Sequence, residues 1–173
     1  MKLVALMENT SCREDICFEH GLSLYLETGG RRILFDAGQS AAFAENAGML
    51  GVDLTAVDFA VLSHGHYDHS GGLGRFLEIN ESAPVYVSRW AFQPHWNSTG
   101  CYVGVDPALK EHDRIHYVAE ETRLAEGITL YRLDGPDHSA RGRSLQRRAD
   151  LRRKPDETGN SDGKYILPGG CLL

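Results

Sequence analysis

Ser63-His64-Gly65-His66-Tyr67-Asp68-His69-Ser70-Gly71-Gly72 follows directly on Phe59-Ala60-Val61-Leu62. The four apolar residues read as a short buried strand. The Gly pair at the far end opens onto Leu73, Phe76 and Leu77 at helical spacing. The stretch therefore sits on a loop at a strand's carboxyl end, where α/β folds place their chemistry. Three of the chain's eight histidines (His64, His66, His69) and the Asp68 carboxylate fall within six residues. Neutral imidazole and carboxylate are the ligands that zinc and similar divalent ions favour. Residues two apart in extended backbone point to the same side, so His64 and His66 can reach one ion. Gly65 between them removes a side chain that would crowd that ion. Asp68 and His69 follow one turn on and can face a second ion. Two ions so placed share a hydroxide, whose pKa they lower toward neutrality. The ordinary alternative is a polar loop with unrelated histidines, against which four ligand-type residues in six weigh heavily.

Ser-His-Gly-His-Tyr-Asp-His-Ser-Gly-Gly resembles the H-x-H-x-D-H signature of the metallo-β-lactamase-fold hydrolases. Ile33-Leu34-Phe35-Asp36-Ala37-Gly38 resembles that family's strand ending in an Asp and a Gly beside the metal site. Glu19-His20-Gly21-Leu22-Ser23-Leu24-Tyr25-Leu26-Glu27 resembles the opening of a non-lactamase subgroup. That subgroup includes dihydropterin ribofuranosyl-aminobenzene-phosphate synthases. The resemblance runs over residues 2–133 and does not speak for β-lactam hydrolysis. It implies an α/β (α+β) fold, an αββα sandwich of two sheets with helices outside, built from two similar halves. By the same resemblance, His64 and His66 hold one ion, and Asp68 and His69 help to hold a second. Zinc is the implied metal, as one or two ions, with Mn2+ or Fe2+ as alternatives. Asp68 also orients the hydroxide and takes up its proton, which makes it the catalytic residue. Asp36 fixes a ligand imidazole or the loop from behind, and His20 lines the pocket.

Composition fits one soluble globular domain: 173 residues, 42% hydrophobic and 24% charged. No apolar run approaches the ~18 residues of a membrane span. Residues 2–7 meet Glu8 too early for a secretory core, so a cytoplasmic location is expected. The four cysteines (Cys12, Cys17, Cys101, Cys171) form no C-x-x-C pair and read as reduced thiols. A net charge of −6 argues against general nucleic-acid affinity.

Strands are expected over residues 3–7, 22–27, 32–35, 59–62, 84–87 and 128–133, with a hairpin turn at Gly29-Gly30. Helices are expected from Ser40 to Gly51 and over residues 73–80. The aromatic segment from Trp90 to Trp96 is read as packing on the sheet, with a lid over the site as the alternative. His112 and His116 are placed at a solvated strand edge rather than on a metal.

Residues 141–173 carry eight of the 18 Lys and Arg and four of the 24 Asp and Glu, a balance of +4. The first 140 residues then hold ten basic and 20 acidic residues, a balance of −10. The boundary is accordingly set at 1–135 for the metallo-β-lactamase-like domain and 136–173 for an irregular, Arg-rich tail. No aromatics are interleaved with those arginines, so a nucleic-acid arm is not the preferred reading. The second half of the family fold supplies further histidines and a bridging Asp, yet the last histidine here is His138. The expectation is a truncated sandwich, an amino-terminal half joined to an atypical end, with His138 as a candidate substitute ligand. Such a half would leave an apolar sheet face open to self-association. The functional reading is a zinc-dependent hydrolase-like protein, using a metal-bound hydroxide on an ester or phosphoester-type small-molecule substrate. The alternative is a non-catalytic metal-binding remnant, or a fragment that needs a partner chain.

Overall fold

The structure, a computed structural model, describes residues 1–132 and the backbone of residues 171–172. Six strands form the main sheet in chain order. They are β1 (Lys2–Met7), β2 (Ser23–Thr28), β3 (Arg31–Phe35), β4 (Phe59–Leu62), β5 (Val85–Val87) and β6 (Ile115–Tyr117). β1 to β3 run antiparallel, and β3 to β6 run parallel. Gly29 and Gly30 both take positive φ, 55° and 70°, as the tight β2–β3 turn requires. Parallel neighbours need crossovers. α1 (Ala42–Met49) makes the first, and α2 (Tyr67–Ser70) with α3 (Leu73–Ile79) makes the second. Ser40 lies one residue outside the cap position, which Ala41 occupies, and its Oγ accepts the Ala42 N–H at 3.1 Å.

The alternation along the strands sends side chains to both faces. Tyr25, Leu34, Ala60, Leu62, Val85 and Val87 face one side, where they pack with Phe43 and Ala47 of α1 and Leu73, Phe76 and Leu77 of α3. Leu26, Ile33, Phe35, Phe59 and Val61 face the other side. That second face is buried, not open as the sequence led us to expect. Ile33, Phe35 and Val61 are each 1% exposed. Their cover includes Ile128 and Leu130 from a second sheet of β7 (Glu121–Ala125), β8 (Ile128–Arg132) and β9 (Cys171–Leu172). β7 carries Glu-Thr-Arg-Leu-Ala, too polar to announce a strand, and its pairing with β8 makes it one. The layers are thus helices, six-stranded sheet and smaller sheet, a mixed α/β sandwich.

His138, the Arg-rich stretch and the 135/136 boundary lie outside the described residues. Among the described residues no helix is long and apolar enough to cross a membrane.

Candidate metal centre

β4 leaves the sheet at Leu62, and the chain bends through His64 and Gly65 to His66, which caps α2 with φ −88° and ψ 147°. The helical turn then brings Asp68 and His69 back beside His64. Backbone bonds fix this loop on every side. Asp68 O accepts from Leu22 N at 3.2 Å, and His69 O accepts from Ala37 N at 2.7 Å. Tyr67 N donates to Val103 O at 2.9 Å, and Gly65 O accepts from Val105 N at 3.0 Å. Gly65 owes its identity to a reason other than room for an ion. A Cβ there would stand 1.9 Å from Ala91 O, so the glycine lets two backbones touch.

Asp36 is the buried hinge of the site. It is 2% exposed and sits in the left-handed region at φ 57°, a conformation that Asp tolerates better than most residues. Its Oδ1 accepts from Ser63 N at 2.7 Å. Its Oδ2 accepts from Ser63 Oγ at 2.7 Å and lies 2.7 Å from His69 Nδ1. This network assigns the imidazole tautomers. His69 holds a proton on Nδ1, directed at the carboxylate, and presents Nε2. Ser63 has one hydroxyl proton and gives it to Asp36. The 2.9 Å contact between Ser63 Oγ and His64 Nδ1 is therefore an N–H donation from His64, which also presents Nε2. A metal ligand whose other ring nitrogen is held in this way is oriented as well as deprotonated.

For His64 the electrostatics agree with that assignment. Burial, then the neighbouring His69 and His66, push His64 down to about 4, so it is neutral at pH 7. Burial alone would lower His69 too, but the hydrogen bond and charge of Asp36, with Asp68 behind them, leave it raised. Burial pushes the Asp36 carboxyl up, against the pull of His69 and Ser63. We place the shared proton on His69 Nδ1, because all three donors at Asp36 need an anionic acceptor. A consequence follows for the metal-free protein. His64 has its folded pKa below its unfolded 6.5, so the unfolded chain protonates first as pH falls from 6.5 toward 4. Stability is lost across that window, by no more than about 3 kcal/mol from this residue. With chelator present, melting temperature should fall more steeply between those pH values for wild type than for His64→Gln; parallel curves would refute the assignment.

Of the residues singled out in the sequence, His64, Asp68 and His69 come together, each offering a ligand atom within 4.8 Å of the others. His66 stands beside this group with its ring 4.8 Å from that of His64, edge to face. Asp36 lies behind His69 as described. His20 places Nε2 3.3 Å from Asp68 Oδ2 at the open side of the site. His95 lies inside the aromatic run from Trp90 to Trp96, and nothing in its sequence neighbourhood marks it as a site residue. Its ring is 4.8 Å from His66, because Trp96–Tyr102 and His66–Gly104 bridges fold this segment onto the motif. The run is therefore split in role. Ala91 is buried and Phe92 packs on the core, while Trp96 is exposed near the site. His112 Nδ1 accepts from Arg114 N at 3.2 Å, and His116 is exposed on β6. Neither belongs to the ligand group.

The MJ0448 protein of Methanocaldococcus jannaschii is 27% identical over 173 residues, covering 97% of this chain and 66% of MJ0448. A 7,8-dihydropterin-6-methyl-4-(β-D-ribofuranosyl)-aminobenzene-5'-phosphate synthase of the same organism is 39% identical over 78 residues, 40% of this chain and 26% of the synthase. The crystal structure of Tm1679, a metal-dependent hydrolase of the β-lactamase superfamily, superposes with a TM-score of 0.62 at 28% identity. That match covers 75% of this chain and 47% of Tm1679. The chain thus spans two thirds or less of the length of these relatives. The metallo-β-lactamase superfamily profile matches residues 18–161, beyond the residue 133 to which the sequence resemblance extends. With most of its length matched, the chain belongs to the metallo-β-lactamase superfamily.

Proposed function

We propose that this chain acts as a divalent-metal-dependent hydrolase on an ester or phosphoester-type small molecule, with zinc as its metal and Mn2+ or Fe2+ as substitutes. The observation that carries the reading is the convergence of His64, Asp68 and His69, with both imidazoles held by the Asp36–Ser63 network so that Nε2 points outward. Neutral imidazole nitrogens and a carboxylate are a donor set that fits zinc. His64, Asp68 and His69 would hold the metal, with His66 beside them. When bound, a divalent ion would supply positive charge to polarise the scissile carbonyl or phosphoryl oxygen and to acidify water. The chain's own groups do the rest. Asp68 is 16% exposed, within reach of solvent, and its Oδ2 is the acceptor for the proton that an attacking water releases. Asp36 keeps the His69 proton on Nδ1, away from the reacting side. His64, pushed down to about 4 by burial and the neighbouring His69 and His66, is too weak a base to hold that proton at pH 7.

A second reading is a metal-binding chain without turnover of its own, either a remnant or a fragment completed by a partner. It is favoured by one feature: among the described residues the gathered ligand group numbers three, enough for one catalytic zinc and too few for two. A catalytic zinc usually has three protein ligands to itself. Metal content and hydrolysis separate the two. The hydrolase should bind about one to two zinc per chain. It should cleave either a p-nitrophenyl ester or bis-p-nitrophenyl phosphate, lose that activity on dialysis against a chelator and regain it with zinc. Stoichiometric metal with no cleavage of either probe would favour the second reading, and no metal uptake would sink both.

A further inference from the structure

Trp96 is 63% exposed, yet it is held in place. It stands at the head of a hairpin whose turn, residues 97–100, is organised by one side chain. Asn97 Oδ1 accepts from Thr99 N at 3.0 Å and from Cys101 N at 2.9 Å, and Gly100 closes the turn at φ 79°. Asn97 N donates to Cys101 O at 3.0 Å, and Val103 N donates to His95 O at 2.9 Å. Trp96 bridges Tyr102 across the hairpin, and the two rings meet edge to face with centroids 5.4 Å apart. A lone exposed apolar residue needs no explanation, but an ordered aromatic pair on a stiff hairpin beside a metal loop does.

The hairpin is continuous with that loop. Its inner strand pairs with the motif: His66 bridges Gly104, Tyr67 N donates to Val103 O at 2.9 Å, and Val105 N donates to Gly65 O at 3.0 Å. Bridged partners, and residues two apart in extended backbone, share a face. His66, Gly104, Tyr102 and Trp96 therefore line up on one side. Gly104 bears this out, since a Cβ there would collide with Oη and Cζ of Tyr102. The tyrosine ring thus lies over Gly104, on the side that His66 shares. Tyr102 Oη donates to Val105 O at 2.7 Å, which holds the ring there. The segment is also uncharged: residues 90–105 contain no Lys, Arg, Asp or Glu, in a chain that is 24% charged.

We propose that Trp96 and Tyr102 form the substrate-recognition wall of the metal centre and stack an uncharged aromatic ring carried by the ester or phosphoester. The occupant is part of the substrate because the wall continues from His66 without a break. The ring is uncharged because the wall offers aromatic surface and no charge to pair with an ionic group. Recognition then divides in two: the metal centre takes the reacting group, and the hairpin takes the planar end. The inference rests on the hydrolase reading above and names the substrate class for that same site.

The test is calorimetric binding of phenylphosphonate and methylphosphonate to the zinc-loaded full chain. Both bring the same tetrahedral anion to the metal and differ only in the ring. Wild type should bind phenylphosphonate about tenfold more tightly, the ratio that one stacked aromatic contact supplies. Trp96→Ala should erase that preference while methylphosphonate binds as before, and Trp96→Phe should keep most of it. Leu3→Ala, which removes an exposed apolar side chain from the edge strand β1, should behave as wild type. Tryptophan fluorescence gives a second readout: phenylphosphonate should change the emission of wild type but not of Trp96→Phe, where Trp90 remains. Equal affinities in wild type, or a phenyl preference that survives in Trp96→Ala, would overturn the proposal and leave the hydrolase reading intact. So would an equal loss of both ligands in Trp96→Ala, since Trp96 would then only support the loop. A wild-type dimer that Trp96→Ala dissolves with the phenyl preference kept would overturn it too, in favour of a contact between copies. Zinc-loaded wild type that binds neither phosphonate would overturn both.

Discussion

Asp36→Asn is expected to leave the protein folded and to weaken zinc binding by about 10–100-fold. The two side chains have the same shape, and both tolerate the positive φ of this position. The difference lies in the protons. The amide oxygen can replace Oδ1 and keep the 2.7 Å bond from Ser63 N. The amide nitrogen then stands where Oδ2 accepted from Ser63 Oγ and from His69 Nδ1. A donor facing two donors drives both partners to reverse. His69 relieves the conflict by moving its proton to Nε2, which removes the lone pair needed on the metal side. Ser63 rotates away and frees His64 to do the same. Zinc titration by calorimetry checks the affinity, and 15N shifts of the His69 ring report the tautomer. An Asn variant with wild-type affinity would show that Asp36 supports the loop alone. Asp36→Ala should be worse, because it strands the Ser63 and His69 donors in a buried site, at about 1–3 kcal/mol for each unsatisfied group.

Gly65→Ala should lower stability in chelator by about 2–3 kcal/mol, although it adds a single methyl group to a loop. The obstacle is backbone. Ala91 O would lie 1.9 Å from the new Cβ, and Ala91 C and Cα at 2.7 and 2.8 Å. No rotamer change relieves such a contact, so one strand of the crossing must move. The Val105 N–H bond to Gly65 O and the Tyr67 N–H bond to Val103 O tie the same loop to residues 103–105, so it is not free to shift away from Ala91. Metal affinity should fall with stability, since His64 and His66 flank the displaced residue. Gly74→Ala is the matched contrast. Gly74 lies inside α3, and a Cβ there meets nothing within 4 Å. Gly74 is the second residue of α3, so helix propensity predicts a gain smaller than the about 1 kcal/mol of a helix interior. Denaturant midpoints of the two variants should move in opposite directions; equal shifts would contradict the packing described at Gly65.

Much of this was legible in the chain itself. Four consecutive apolar residues, Phe59 to Leu62, read as a short buried strand, and β4 is that strand. Gly29-Gly30 fixed a hairpin, and the spacing of Leu73, Phe76 and Leu77 fixed the inner face of α3. Local periodicity suffices there, because a repeat of two or 3.6 residues decides which side chains share a face. The ligand-type residues could be named for the same reason, being neighbours in a single decapeptide.

Other features depend on groups far apart in the chain. β7 has no strand pattern of its own and exists because β8 pairs with it, which also closes the sheet face that seemed open. The reason for Gly65 lies at Ala91, and the partner of His66 is His95, neither of which the motif mentions. The tautomer of His69 hangs on Asp36, and that of His64 hangs on Asp36 through Ser63. Sequence alone determined which ligand-type side chains are neighbours in the chain, since that is a property of residue type and short-range spacing. Only the tertiary structure decided which nitrogen of each imidazole faces the site, because a proton's position follows from hydrogen-bond partners that folding brings from elsewhere.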